Sequence, residues 1–127
     1  MKFDELDCMM RVFETAHDYS VLPGIHMVAR IDGRNFTRLT KETHSFDAPF
    51  DERVRDYMIG TTAHLMNCGF ETIYGYTQSD EISLLFHPRI TTFDRKVRKY
   101  NSILAAEASA RFSILRRVER PGRQGGG

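Results

Sequence analysis

Two short stretches carry the residues of this chain best suited to chemistry. In Gly75-Tyr76-Thr77-Gln78-Ser79-Asp80-Glu81-Ile82-Ser83-Leu84-Leu85-Phe86 an acidic pair follows a polar run and leads into an apolar segment. The flanks are rich in β-branched and aromatic residues and Gln78-Ser79-Asp80 is turn-prone, so Asp80 is expected at the tip of a hairpin. Upstream, Ile25-His26-Met27-Val28-Ala29-Arg30-Ile31-Asp32-Gly33-Arg34 is a second apolar segment that ends in Asp-Gly between two arginines. Each piece alone reads as an ordinary surface turn. Together they offer two strand-end carboxylates, Asp32 and Asp80. Such a pair suits a hard cation such as Mg²⁺, which is commonly held by one or two carboxylates together with substrate phosphates.

The elements that must position these acids follow from periodicity. Phe3, Leu6, Met10 and Phe13 stand at helical spacing in residues 3–16, with acids early in the segment, and predict a first amphipathic helix packed on the core. Pro23-Gly24 breaks that pattern and delivers the chain to a strand over 25–31, apolar enough to be central. Arg34 to Lys41 is polar and basic, and its backbone amides could face an anion or simply form a loop. Asp51 is placed to cap a helix that runs to Cys68 and stops at Gly69, with Val54, Tyr57, Met58, Thr61 and Leu65 inward and His64 packed beside them. Strands are expected over 71–77 and 81–86. A long helix then runs from Phe93 to Leu115, its inner face made by Val97, Tyr100, Leu104, Ala108 and Phe112. Arg95, Lys96, Arg98 and Lys99 crowd the start of that helix against its dipole, which points either to an anion nearby or to a solvated basic face.

Composition narrows the class. The chain has 127 residues, 28% charged and 41% hydrophobic, as one domain of an ordinary globular protein would. No apolar run approaches a membrane span, and Lys2, Asp4, Glu5 and Asp7 interrupt the start, so neither a signal peptide nor a membrane partner is expected and the location is cytoplasmic. Cys8 and Cys68 have no companion at metal-ligand spacing and read as thiols in a reducing compartment. A net charge of +1 exerts no global pull on a polyanion. Residues 1–115 therefore form the folded domain, and 116–127, ending in three glycines, form a disordered tail.

The order helix, strand, helix, strand, strand, helix is most of a ferredoxin-like βαββαβ unit, of the α+β (α/β) class. It has a leading helix and lacks the final strand. Polymerase palms and nucleotide cyclases share this layout, with acids on adjacent strand ends.

Over Met9 to Ser113 the sequence resembles the tRNA-histidine guanylyltransferases and their guanylyltransferase-like relatives, polymerases that add nucleotides in the 3′-to-5′ direction. The resemblance rests on Arg30-Ile31-Asp32-Gly33-Arg34-Asn35-Phe36, on Tyr76-Thr77-Gln78-Ser79-Asp80-Glu81 and on Phe93 to Lys99. It implies a polymerase-palm catalytic domain that binds two Mg²⁺ ions through Asp32, the carbonyl of Gly33 and Asp80, with Asp32 and Asp80 catalytic. It also implies that Asp32, Gly33, Arg34, Asn35, Phe36, Thr37, Ser79, Asp80 and Lys99 contact the nucleotide, with GTP and ATP as substrates. A tRNA 5′ end as acceptor and a homo-oligomer for the full-length family are implied as well. Thr37 stands where the eukaryotic enzymes often have histidine, which tilts the resemblance toward the guanylyltransferase-like branch. The family continues well past residue 127, so the chain is expected to be the front half of such an enzyme, a truncated or frame-shifted product whose activity is open. A cyclase-like or triphosphate-hydrolysing enzyme and a non-catalytic nucleotide-binding remnant are the alternatives.

Overall fold

The computed structural model describes residues 2–34 and 52–118. The elements are α1 (Phe3–Thr15), β1 (Val28–Asp32), α2 (Glu52–Leu65), β2 (Thr72–Gln78), β3 (Glu81–Phe86), a 3₁₀ turn (Thr92–Arg95) and α3 (Val97–Val118). The three strands form one sheet in the order β1-β3-β2, and both outer strands run antiparallel to β3. β1 and β2 are therefore parallel to each other, joined through α2 with β3 inserted between them, which is the split βαβ arrangement expected from the element order. Among the described residues there is no fourth strand, and β1 is paired on one side only. The protein is α+β, and none of its described helices is long and apolar enough to cross a membrane.

The core lies on one face of the sheet. β3 alternates strictly, burying Ile82, Leu84 and Phe86 against α2 and α3 and turning Glu81, Ser83 and Leu85 to the other side. α2 contributes Val54, Tyr57, Met58, Thr61 and Leu65, the stripe predicted from spacing, with Thr62 beside them. The Thr61 and Thr62 hydroxyls each donate to the carbonyl four residues back, at 2.7 Å, so their burial leaves no orphaned group. β2 approaches α2 at Gly75, where a Cβ would fall 2.5 Å from the Met66 sulfur. Tyr100, Leu104 and Ala108 close the core from α3, and the rings of Phe70, Phe86 and Tyr100 meet edge-on or tilted at its centre.

Several boundaries differ from expectation for local reasons. β1 begins at Val28 because the preceding residues turn back: Gly24, at φ +85°, donates to the Pro88 carbonyl and Ile25 donates to Leu22. β1 is also an edge strand among the described residues, with Val28, Arg30 and Asp32 exposed, and not a central one. α2 ends at Leu65, short of Cys68, as the Asn67 amide takes the carbonyl three residues back and the chain turns at Gly69, φ +106°. The last helix begins at Val97 and not at Phe93, since Phe93, Asp94 and Arg95 all have left-handed φ. It runs on to Val118, past the expected end at Leu115. The cap expected from Asp51, the basic stretch from Asn35 to Lys41 and the tail from 119 onward lie outside the described residues.

One expectation fails outright. α1 forms where its periodicity predicts, but it buries none of its residues: Phe3, Met10 and Phe13 are all more than half exposed. Its apolar stripe faces away from the core, and the segment is tied to the body through polar contacts instead. Glu14 and the following Asp18 accept from the Arg98 guanidinium at 3.0 and 2.7 Å, and Lys96 lies 3.5 Å from Asp18.

Candidate active site

The hairpin between β2 and β3 closes in two residues, Ser79 and Asp80, since Gln78 and Glu81 are still in register. Two-residue hairpins use turns with a positive φ at the first central residue, and Ser79 supplies it at φ +55°. The turn is a residue tighter than expected because Gln78 belongs to β2, while β3 begins at Glu81 as expected. The Gly33 amide donates to the Asp80 carbonyl at 3.0 Å, which clamps the end of β1 to the hairpin tip. Asp32 is directly opposite Glu81 in the β1–β3 register. Three carboxylates from three different backbone settings are thereby gathered: oxygens of Asp32, Asp80 and Glu81 all lie within 4.8 Å of one another.

Asp32 and Asp80, brought together as expected, also line a cavity of about 300 Å³ between the strand ends and the helices. Its walls combine apolar Ile31, Ile82, Met58 and Phe112 with polar Thr61, Ser109 and Ser113, and Gly33 and Arg34 line it as well. Such a mixture, apolar walls with a few polar groups, is typical of small-molecule sites. An all-oxygen donor set of three carboxylates fits a hard divalent cation better than a softer, nitrogen- or sulfur-seeking one. Glu81, left out of the ligand set by sequence reasoning, belongs with the cluster. Its signal was the strand period: counting back from the buried Ile82, Glu81 has to share the face of Asp32.

Arg30 lies two residues before Asp32 on the same face of β1. Its guanidinium donates to the Glu81 carboxylate and its Nε is 3.8 Å from Asp32. The hydrogen bond to Glu81, followed by the charges of Glu81, Asp32 and Asp80, raises the pKa of Arg30.

The remaining predicted residues are more scattered. Ser79 is at the turn itself. Asn35, Phe36 and Thr37 lie outside the described residues. Lys99 sits in the first turn of α3 with its ammonium 5.8 Å from the centre of the Phe93 ring, and it is not among the residues lining the cavity. The other cations of that cluster have partners inside the protein. Arg95 is 3% exposed and donates to the carbonyls of Val21, Pro88, Ile90 and Ile25. Lys96 and Arg98 face Asp18 and Glu14. Lys96 and Arg98 thus have carboxylates of the protein itself as their anions, and Arg95 is satisfied by neutral carbonyls.

Comparison with known proteins decides the family. The family model for tRNAHis guanylyltransferase matches residues 7–124. The chain belongs to the tRNAHis guanylyltransferase family. The tRNA(His) guanylyltransferase of Neurospora crassa is 32% identical over 93 residues, 73% of this chain and 31% of that protein. Among solved structures, a bacterial tRNA(His) guanylyltransferase-like protein in complex with GTP superposes with a TM-score of 0.79 at 25% identity, covering 93% of this chain and 57% of that one. A bacterial guanylyltransferase-like protein in complex with ATP gives 0.79 at 28% identity, over 92% and 52%. The chain thus spans about a third of the length of that curated relative and little more than half of the two solved ones.

Proposed function

We propose that this chain carries the metal- and nucleotide-binding part of a nucleotidyltransferase that adds nucleotides, typically G, to tRNA 5′ ends in the 3′-to-5′ direction. The observation that carries the proposal is the convergence of Asp32, Asp80 and Glu81, the first two of which also line a cavity of about 300 Å³. Family membership and the GTP and ATP complexes of two structural neighbours support the substrate class.

In this reading Asp32 and Asp80, with Glu81 beside them and the carbonyl of Gly33, hold two Mg²⁺ ions. When bound, these ions supply charge stabilisation to the attacking and leaving oxygens of an in-line phosphoryl displacement. The chain's own residues do the positioning. The Gly33–Asp80 backbone hydrogen bond fixes the separation of the two strand ends, and so of Asp32 and Asp80. Apolar walls at Ile31, Ile82, Met58 and Phe112 would exclude water from one side of the nucleoside, and Arg34, which also lines the cavity, supplies a cation for its phosphates. Asn35, Phe36, Thr37, Ser79 and Lys99 complete the proposed nucleotide contacts. The tRNA acceptor, a cytoplasmic setting and a homo-oligomer are part of the same proposal.

The test is nucleotide addition to a 5′-activated tRNA with Mg²⁺ varied, in the parent chain and in Asp32→Ala and Asp80→Ala. Metal-dependent addition, or at the least metal-dependent GTP binding, that both substitutions remove is the expected result. Parental binding and turnover in both variants would refute the site.

A further inference from the structure

The open face of the sheet orders the residues around the acids in rows. Asp32, Glu81 and Gln78 form the row at the strand ends, and Arg30, Ser83 and Tyr76 form the next. Arg30 reaches forward from its row, along β1 to Asp32 and diagonally across to Glu81. Both of its ion-pair partners among the described residues are thus members of the acidic cluster. Three carboxylates face one guanidinium, so the group retains surplus negative charge that draws a divalent cation in. Yet a cation that takes Glu81 and Asp32 as ligands must take them from Arg30.

We propose that Arg30 is a resident counter-ion, displaced from Glu81 and Asp32 when a divalent cation binds and then free to meet the anionic oxygens of the nucleotide. The inference rests on the metal-binding reading of the cluster. The exchange is physically reasonable because the Arg30 side chain is 60% exposed. Exposed ion pairs are weak and hold long side chains loosely, whereas a doubly charged ion attracts the same oxygens more strongly. A released guanidinium keeps its charge at any physiological pH, and its planar fork suits two oxygens of one phosphate. Ser83, directly opposite on β3, has no charge to hold it back.

The experiment titrates the whole chain with Mn²⁺ in the absence of nucleotide, following the free ion by electron paramagnetic resonance. Arg30→Gln should bind Mn²⁺ about three- to fivefold more tightly than the parent. Arg30→Lys, which keeps the charge, should stay close to it. A gain of affinity is a readout that structural damage does not produce. Arg11→Gln, which removes the same charge from the distant α1, should leave Mn²⁺ affinity unchanged. In the second arm, GTP binding in the presence of Ca²⁺ should weaken in Arg30→Gln. Unchanged or weaker Mn²⁺ binding in Arg30→Gln, or an equal gain in Arg11→Gln, overturns the inference. Asp32→Asn separates the two levels: if it binds Mn²⁺ as the parent does, the metal reading itself is wrong.

Discussion

At the scale of single residues, the site is a matter of strand period and turn length. Asp32 and Asp80 were legible as strand-end acids because each stands at a turn signal beside an apolar run, Asp32 after one and Asp80 before one. Glu81 was not singled out: alternation from Ile82 sends its side chain to the face away from the core, but the β1–β3 register that sets it opposite Asp32 is a long-range pairing that local sequence does not record. Glu81→Gln should therefore reduce metal-dependent turnover and weaken Mn²⁺ binding, though less than Asp32→Ala, because it removes one charged ligand while leaving the other two carboxylates in place. Parental Mn²⁺ affinity in Glu81→Gln would return Glu81 to the role of partner to Arg30 alone.

At the scale of elements, the basic cluster before and within α3 shows where sequence reasoning stops. Four cations in five residues read as either an anion site or a solvated basic face, and the partners that absorb three of them lie 70 to 84 positions away in sequence or in neighbouring carbonyls. Local spacing holds no record of such pairing. Arg95 fastens the chain before β1 to the turn before α3 through four backbone carbonyls. Arg95→Ala would leave several of them without a donor in a buried place, at a cost of about 3 kcal/mol. A denaturant midpoint that moves by less than the error of the titration would show that the carbonyls find other donors.

The second clasp depends on pH. The hydrogen bond from Arg98, and then the charges of Arg98 and Lys96, hold the Asp18 carboxyl below the usual carboxylate range, against the opposing effect of burial. A folded-state pKa below the unfolded one gives stability that is present above the ordinary aspartate range and lost as pH falls through the depressed native value. Asp18→Asn should accordingly narrow the gap in thermal stability between pH 7 and acid. An acid limb identical to the parent's would mean that other carboxylates govern it.

At the scale of the whole molecule, the chain has one well-built face and one bare one. The stripe on α2 and most of the one on α3 were read correctly from period, since both pack on the same buried sheet face; Val97, expected inward, is exposed at the first residue of α3, whereas Leu104 is buried and Leu104→Ala should cost about 2–5 kcal/mol. α1 has an equally good stripe and no covering partner among the described residues, so amphipathicity gave its secondary structure without its place. Phe13→Ala should leave monomer stability within about 0.5 kcal/mol of the parent. Chemical unfolding of the two variants side by side checks both values.

The bare face also sets how the molecule behaves among its copies. β1 is paired on one side only among the described residues, and Val28, Ile73, Tyr74 and Tyr76 are all exposed on or beside the open side of the sheet. An edge strand with exposed apolar neighbours is a template for pairing with another chain, and Arg30, the one cation of β1, is already engaged with Glu81. The chain is therefore expected to self-associate with rising concentration. Val28→Lys places a gatekeeping charge on the edge strand at a residue that contributes little burial, 67% exposed, and so should lower association without lowering stability. Light scattering across a concentration series, set beside thermal unfolding at the lowest concentration, separates the two effects. If Val28→Lys associates as strongly as the parent, the contact runs through another surface, and the exposed stripe of α1 is the next to be charged.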